Sequence, residues 1–502
     1  MSGKRAAPRR RRLGRDRTPA APRPEAPTPV GGPTPEPARP APRTATPSRR
    51  GPATLLAVVL PVATLAAGLL VAPDAPEEAP AAAPAATTLA EQTLVCPPPP
   101  ASGAAPVVVG REPAGDGGAV SVTGLGGEPV EEDLDVPAGG AVGPVLVPGA
   151  PAALSAEGDA AAGLLGGRFG EEAVTGTACE PTAADQWFTG LSAGPERSSV
   201  VELVNPAAGD AVADVTLLGP DGPLDVPDVE GVTVPAGERV SLDLGALTPT
   251  ADDLAARVEV VRGRVAASVL DTATPIGGTE VSEWLPRQSA PATTSLLPGL
   301  VGGEGPRTLV VANPGAADTQ VEVDVVTPTG AVRPTGVRTL QVPAGGVETV
   351  GLSEQLAAQV DQGAGGVLLR SADPVTATLR GEVRGDLTYA VPVDPATTGA
   401  ALLPAGESRV LLTADPDAGS PSTATVTARD ADGEEVASEE VEVVPGGLGE
   451  VAVPEGAVAV SVVSDGEVAA AVVVLRGEGN VVLPVRPAVT EALVAQVRPG
   501  LP

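Results

Sequence analysis

The chain has 502 residues, 63 acidic against 32 basic side chains, a formal net charge of −31 and no histidine. Without histidine it lacks the commonest general base and the commonest imidazole metal ligand, which excludes Ser-His-Asp catalysis and histidine-bound metals. Aromatic residues make up only 1% of the chain, so any core must be built from valine, leucine and alanine. We predict a protein that is not an enzyme and needs no cofactor.

Charge is divided unevenly along the sequence. Residues 1–52 carry a net charge of +10, whereas the remaining residues carry −41. A body of this sign repels phosphate backbones, because cationic side chains supply most of the affinity for nucleic acid. We therefore expect no nucleic-acid partner for residues 53–502.

The N-terminal region is predicted to contain a tail, a membrane span and a spacer. Residues 1–52 are Pro- and Arg-rich without apolar periodicity, which predicts a disordered basic cytoplasmic tail. Residues 53–72 form an uncharged apolar stretch whose helical length matches a lipid core of about 30 Å, so we predict a transmembrane helix in contact with membrane lipid. Residues 73–88 predict a Pro/Ala-rich spacer.

The orientation of this span follows from the charges that flank it. Arg49 and Arg50 precede it and Asp74 and Glu77 follow it, which places the N-terminus in the cytoplasm and the C-terminal body outside. The alternative is a cleaved signal peptide, with small-residue cleavage sites among residues 81–86. On either interpretation the body lies beyond the cytoplasmic membrane.

A repeated pattern organises the body. Three apolar strands end in Asn-Pro or Asp-Pro, and each of these prolines precedes the proline of a V-P-[AG]-G turn by 29 residues. The three pairs are Pro206 with Pro235, Pro314 with Pro343, and Pro416 with Pro445. A shorter, degenerate copy begins at Val107 and has its turn at Pro137. This recurrence indicates one structural unit built four times.

Each copy predicts about seven short antiparallel strands, because period-two apolar runs are separated by Gly, Pro and Asp-Gly turns. The predicted fold class is all-β, with tandem immunoglobulin- or fibronectin-like β-sandwich modules. The modules are expected at residues 89–182 (degenerate), 183–290, 291–396 and 397–490, followed by a tail at 491–502. Short helical turns are expected at Thr250–Ala256 and Leu352–Val360.

The two cysteines, Cys96 and Cys179, flank the first module on the predicted outer side, where oxidation is permitted. We predict a structural disulfide between them. The alternative is a free or intermolecular thiol.

Around the second cysteine the sequence resembles a known family. Cys179, the Trp187-Phe188-x-Gly motif, Asn205-Pro206, the later V-P-A-G turns and the Trp284-Leu-Pro strand ending carry the resemblance. Together they resemble the actinobacterial membrane-anchored family catalogued as domain of unknown function 5719. The resemblance implies a surface location and brings no assigned activity, catalytic residue or cofactor.

Two groups of residues are candidates for binding. Trp187, Phe188 and Trp284 are the large aromatic residues of the central body and would offer a stacking platform for a glycan, or else pack a core or a module interface. Asp430, Asp432 and Glu434 resemble part of a calcium loop, with Asp415 and Asp417 as further oxygen ligands, or else form a hairpin turn.

The sequence thus favours a non-enzymatic, membrane-anchored, extracytoplasmic envelope protein that acts as a structural or protein-interaction scaffold. Two alternatives stay open. One is a protein that binds or modifies cell-wall carbohydrate, and the other is an accessory subunit of an envelope assembly.

Overall fold

The computed structural model describes residues 85–494, apart from 101–102, 114–116, 128, 172–173 and 275–279. The predicted tail at 1–52, the predicted span at 53–72 and most of the predicted spacer lie outside these residues. Among the residues that are described, no helix has the length and apolarity needed to cross a bilayer.

The prediction of an all-β protein is confirmed. The described residues form 35 β-strands and two short α-helices. Strand β1 (Ala85–Thr88) pairs antiparallel with β35 (Glu491–Val494), so the two ends of the described chain lie side by side. These two strands fall in ranges predicted as spacer and C-terminal tail.

The first unit contains nine strands in two sheets, and a 3₁₀ turn (Gly158–Ala160) precedes its seventh strand. The strands are β2 (Glu91–Cys96), β3 (Val107–Arg111), β4 (Gly118–Gly124), β5 (Glu131–Val136), β6 (Ala141–Val145), β7 (Ala152–Glu157), β8 (Leu164–Phe169), β9 (Gly176–Ala178) and β10 (Glu180–Pro181). One sheet has the order β10-β2-β7-β4-β5 and the other the order β6-β3-β8-β9.

The second unit also has nine strands, with a 3₁₀ turn (Pro227–Val229) and helix α1 (Leu244–Leu247). The strands are β11 (Asp185–Leu191), β12 (Arg197–Val204), β13 (Ala211–Gly219), β14 (Gly222–Pro223), β15 (Val232–Val234), β16 (Arg239–Asp243), β17 (Leu254–Arg262), β18 (Ala266–Ala273) and β19 (Val281–Leu285). Its sheets have the orders β11-β17-β13-β14, with β15 also on β13, and β16-β12-β18-β19.

The third unit has eight strands and helix α2 (Ser353–Val360). The strands are β20 (Ala292–Pro298), β21 (Arg307–Ala312), β22 (Thr319–Thr327), β23 (Gly330–Val332), β24 (Leu340–Val342), β25 (Val347–Gly351), β26 (Gly366–Val383) and β27 (Asp386–Ala390). The first half of β26 pairs with β20 and β22, and its second half pairs with β21 and β27.

The fourth unit has seven strands. They are β28 (Ala396–Leu402), β29 (Glu407–Ala414), β30 (Ser422–Arg429), β31 (Glu435–Val443), β32 (Leu448–Val453), β33 (Ala459–Arg476) and β34 (Gly479–Val485). The long strand β33 again serves two layers, since one half pairs with β28 and β30 and the other with β29 and β34.

All four units share one strand order. In the first unit β2 lies beside β7, which lies beside β4 and then β5, while β6, β3, β8 and β9 form the opposing layer. In the second unit the corresponding layers are β11-β17-β13-β14 and β16-β12-β18-β19. In the third and fourth units the order is the same, except that the long strand β26 or β33 takes part in both layers. Apolar side chains of both layers share one core in each unit. This order differs from the ABED and CFG sheets of an immunoglobulin constant domain, where the first strand lies beside the second.

Two differences from the predicted elements have local causes. Residues Thr250–Ala256 do not form a helix: Asp253 has a left-handed φ of 54°, and Leu254 begins the buried strand β17. The strand next to the first strand and the strand next to the second are separate only in the first two units; Gly263, with a φ of 85°, separates them in the second. In the third and fourth units they are continuous 18-residue strands. The helix expected at Leu352–Val360 is confirmed by α2.

The constant 29-residue spacing has a structural reason. The buried Asn205 amide donates a hydrogen bond to the Val234 carbonyl at 3.0 Å, and Asn313 donates to the Val342 carbonyl at 3.3 Å. Each asparagine therefore ties the loop after the second strand to the start of the V-P-A-G turn. Asp415 occupies the third such position, where a carboxylate cannot donate and only accepts a bond from the backbone of Asp417.

The units contact one another around a common centre. Strands β9, β19, β27 and β34 each end the opposing layer of their unit and are called the last strands. They form a closed cycle, in which each contacts the next and β34 returns to β9. Apolar clusters bury the seams between units, as where Phe169 and Val174 of the first unit enter the core of the fourth. The four units therefore pack against one another in one compact body and do not form a linear row of separate domains.

Candidate functional site

The three aromatic residues singled out from the sequence are buried at different places. Phe188 lies in the core of the second unit with no exposed surface. Trp187 is 6% exposed and belongs to an apolar cluster with Val310 and Val347 of the third unit. Trp284 is 2% exposed and lines a narrow gap against Val95 of the first unit. The two tryptophans therefore lie at seams between units.

The guanidinium of Arg257 covers one face of the Trp187 ring, with its central carbon 5.6 Å from the ring centroid. This is a cation–π arrangement. A sugar ring could not stack on that face without displacing the arginine.

The acidic run at Asp430 forms the hairpin turn between β30 and β31. One carboxylate oxygen of Asp430 accepts hydrogen bonds from the backbone N–H groups of Asp432 and Glu434, both at 3.0 Å. Gly433 in the same turn adopts a φ of 85°, which suits glycine. In the part of the chain that the structure describes, no three acidic, cysteine or histidine side chains are grouped to hold a metal ion.

The predicted disulfide is present between Cys96 and Cys179. Cys96 ends β2 and Cys179 follows β9, so the bond joins the two sheets of the first unit inside its core. Neither cysteine is free.

A polar junction lies where the last strands of the four units meet. Glu283 on β19 is 2% exposed. Its Oε1 accepts hydrogen bonds from the backbone N–H groups of Gly176 in the first unit, at 3.1 Å, and of Trp284, at 2.8 Å. Its Oε2 is buried without a hydrogen-bond partner. Burial, and next the charge of Asp386, raise the pKa of Glu283 well above its ordinary value.

Asp386 continues this junction into the third and fourth units. Its Oδ2 accepts a hydrogen bond from the backbone N–H of Asn480 at 2.9 Å, and the Asn480 amide donates to the Val383 carbonyl at 3.2 Å. Burial raises the pKa of Asp386 in spite of the backbone hydrogen bonds it accepts. Glu283 and Asp386 are thus two acids in a site where burial opposes their ionisation, and a protonated Glu283 avoids a buried, uncompensated charge.

A second polar cluster joins the second and third units. Asp271 on β18 has no exposed surface; it accepts hydrogen bonds from Ser199, at 2.6 Å, and from the hydroxyl of Tyr389 on β27. Arg197 lies 3.5 Å from the same carboxylate and 3.4 Å from Asp253. Burial, then the charge of Asp271, raise the pKa of Tyr389 well above its ordinary value.

Both clusters include contacts that cross from one unit to another. Three contacts do so: Gly176 to Glu283, Tyr389 to Asp271, and Arg380 to Asp253 at 3.1 Å. The ion pair between Arg197 and Asp271 lies within the second unit. The arrangement is suited to holding the units together.

Comparison with protein families bears on this interpretation. A family model described as a family of unknown function, DUF5719, matches residues 167–454. The chain belongs to this family. No curated protein sequence matches the chain.

The family match begins in β8 of the first unit and extends to the turn before β33 in the fourth. It includes Glu283, Asp386 and the cluster around Asp271, while Asn480 lies beyond it. The resemblance carried by Cys179, Trp187 and Asn205 is therefore confirmed at the level of the family.

Sequence reasoning did not identify Glu283, Asp271 or Tyr389. Glu283 directly precedes the apolar Trp284-Leu285 strand ending, and Tyr389 is the single tyrosine of the chain. Both residues could have indicated a buried polar contact. A charged side chain next to apolar residues, or a buried tyrosine hydroxyl, usually requires a specific hydrogen-bond partner. The partners themselves come from other units.

Proposed function

We propose that this chain is a non-enzymatic, membrane-anchored extracytoplasmic envelope protein that acts as a structural or protein-interaction scaffold. The observation that carries the proposal is the closed cycle of last strands, through which four two-sheet units form one body. A body of this kind offers a large surface of fixed geometry, which suits a scaffold. A protein whose role is to extend over a long distance would have its units separated by linkers.

Several features support the rigidity that a scaffold needs. Trp187 fills the seam between the second and third units, and the Asp271–Tyr389 contact crosses the same seam. Leu296 and Leu368 of the third unit share an apolar cluster with Leu411 and Leu448 of the fourth. Desolvated interfaces of this type resist relative motion of domains.

The proposed compartment rests on the disulfide and on the sequence. Disulfides persist in oxidising compartments outside the cytoplasm, and Cys96–Cys179 is buried inside the first unit. We propose that residues 53–72 anchor the protein in the membrane with residues 1–52 in the cytoplasm. We also propose that each unit is a β-sandwich module, although its strand order is not that of an immunoglobulin constant domain.

Thiol labelling on intact cells tests the location. The variant Leu146→Cys places a thiol on the body, since Leu146 is 59% exposed, and Ser2→Cys places one in the proposed cytoplasmic tail. A membrane-impermeant maleimide is expected to label Leu146→Cys on intact cells and Ser2→Cys only after lysis. Labelling of both variants only after lysis would refute the proposed location.

Cross-linking followed by co-purification tests the scaffold role. Full-length protein recovered from cross-linked cells is expected to bring the same envelope proteins from independent preparations, and these are expected to be lost when exposed side chains of the body are substituted. Recovery of the chain alone, with and without cross-linker, would contradict a scaffold that acts through protein partners.

The carbohydrate alternative stays a prediction. Because Trp187, Phe188 and Trp284 are buried, a glycan would have to bind elsewhere on the body. Binding of purified envelope polymers to the full chain would support that alternative. Loss of this binding after the protein is unfolded by heat would show that the folded body is required.

A further inference from the structure

A cavity of about 200 Å³ lies where the first, second and fourth units meet. Its wall is mainly apolar and includes Leu94 on β2, Leu164 on β8, Leu402 on β28 and Leu483 on β34. The cavity is partly open to solvent, so a ligand can reach it from the surface. At about 30 Å³ per molecule it is the volume of roughly seven waters.

Water fills such a space poorly. A buried water molecule needs two to four polar partners, whereas Leu, Phe, Ala and Pro dominate this wall. An apolar chain that entered the cavity would instead gain the contacts that the wall side chains lack. The wall therefore favours an aliphatic occupant.

One end of the cavity is cationic. Arg287 and Arg486 line it together with a single carboxylate, Glu180, which both guanidinium groups share. Arg287 lies 2.7 Å from one oxygen of Glu180, and Arg486 bonds to the other oxygen and to the Arg287 carbonyl. The lining thus has one more positive than negative charge, in a protein whose overall charge is −31.

Arg486 is largely buried next to a second cation, Arg287. Burial lowers the pKa of Arg486, even though Glu180 and Asp394, which lies outside the cavity wall, both act in the opposite direction. An additional anion at this end would lower the cost of burying the two guanidinium groups.

We propose that this cavity binds an aliphatic carboxylate of medium chain length, with the chain among the leucines and the carboxylate at Arg486 and Arg287. Pockets that combine an apolar wall with a few convergent polar groups are the usual form of small-molecule sites. This site is independent of the scaffold proposal, because it requires only the seam between the units.

Photolabelling of the full-length protein tests the site. The probe is an octanoate analogue with a diazirine near the end of its chain, and the matched control probe is the amine of the same length. The carboxylate probe is expected to label peptides that contain Leu94, Leu402 or Leu483, as mapped by mass spectrometry, and unlabelled octanoate is expected to compete. The amine is expected to label these peptides about ten-fold less, because its charge is repelled by the guanidinium groups.

Two variants probe the charged part and the apolar part of the cavity wall. Arg486→Gln is expected to reduce labelling about ten-fold, because it removes a charge-assisted contact. Leu165→Phe, a half-buried position on the wall, is expected to reduce labelling by filling the space. Arg409→Gln, at a surface ion pair with Glu450, is the control and is expected to label as the unmodified chain does. Melting temperatures confirm that each variant is folded.

Equal labelling by the two probes would overturn the proposal, as would labelling that persists in both folded cavity variants. If Arg486→Gln does not fold, persistence in Leu165→Phe is sufficient to overturn it. Absence of labelling in the unmodified chain would overturn it as well.

Discussion

Single buried side chains determine how the loops of each unit are fixed. Asn313 has no exposed surface and donates hydrogen bonds to the carbonyls of Ala317, at 2.8 Å, and Val342, at 3.3 Å. It also accepts one from the backbone of Gly315 at 2.9 Å. Removal of this amide takes a partner from the buried Val342 carbonyl and breaks the partly buried bonds to the backbone of Ala317 and Gly315, and the loss of such bonds is costly.

Asn313→Ala is therefore expected to lower the free energy of unfolding by about 2 kcal/mol, as measured by urea denaturation. The matched control is Asp415→Ala, at the corresponding position of the fourth unit, where the half-buried carboxylate accepts only a local backbone bond. That change is expected to cost about 0.5 kcal/mol or less. Equal costs for the two substitutions would contradict the role assigned to the asparagine.

Glu283 predicts a pH dependence of stability. Its pKa in the folded protein is raised above the ordinary value of 4.5, so the unfolded chain loses this proton first as the pH rises. The contribution of protonated Glu283 to the free energy of unfolding is fully present below about pH 4.5 and is lost as the pH rises toward the pKa of Glu283 in the folded protein. Asp386, whose pKa is also raised, acts in the same direction.

Glu283→Gln removes this ionisation and keeps an oxygen for the backbone N–H groups of Gly176 and Trp284. Relative to the unmodified chain, the variant is expected to gain stability as the pH rises from 4.5 to 7. Denaturation curves at a series of pH values measure the difference, with the surface substitution Glu450→Gln as the control. A difference that does not change with pH would contradict the raised pKa.

At the scale of elements, the disulfide is the strongest single constraint on the first unit. It joins residues separated by 83 positions and lies in the core between the two sheets. A cross-link of that span restricts the unfolded chain by about 4 to 5 kcal/mol in the loop-entropy account.

Replacement of both Cys96 and Cys179 by alanine is expected to lower the free energy of unfolding of the first unit by that order, about 4 kcal/mol. Hydrogen exchange of β2 and β8 measures the loss, because it reports on the unit directly. Reductant is expected to destabilise the unmodified chain and to leave the double variant unchanged. An unmodified chain that resists reductant without loss of protection would contradict this prediction.

Strands and helices could be predicted from the sequence where neighbouring residues in the chain determine them. Alternating apolar residues indicated the strands, and Ser353 with Glu354 before a small apolar pattern indicated α2. The helix expected near Asp252 and Asp253 is absent because Leu254, Ala255 and Ala256 are all buried in β17, so packing in the strand overrode the helix-start signal of the aspartates. The continuity of β26 could not be read from its Ala-Asp-Pro interruption, which lies at an exposed bend of the strand.

At the scale of the whole molecule, the seams between units are what the sequence could not show. Trp187 and Val310 share a cluster although 123 positions separate them, and nothing in either local pattern distinguishes a core residue from an interface residue. The same applies to Glu283, whose significance depends on Gly176 and Asp386 from two other units. The burial of a residue can be predicted from its hydrophobicity, whereas the residue that it packs against can be identified only from the folded structure.

Trp187→Ala tests the seam between the second and third units. The truncation is expected to cost about 3 to 5 kcal/mol, and because the ring packs with Val310 and Val347, amide protection should fall in β21 and β25 of the third unit. Val261→Ala, at a position 61% exposed in the second unit, is the control and should leave protection unchanged. A loss confined to the second unit would contradict the shared interface.

The central claim is that the fourth unit returns to contact the first, and an engineered disulfide tests it most directly. A Cβ placed on Gly479 of the fourth unit would lie 3.0 Å from the Cβ of Val174 of the first, close to disulfide distance. The full chain with Val174→Cys and Gly479→Cys is expected to form that bond in oxidising buffer, detected as a cross-linked peptide by mass spectrometry, while the pair Leu146→Cys and Gly479→Cys is expected to stay unlinked. A Val174→Cys, Gly479→Cys chain whose two new thiols remain free would contradict the closed arrangement of the four units.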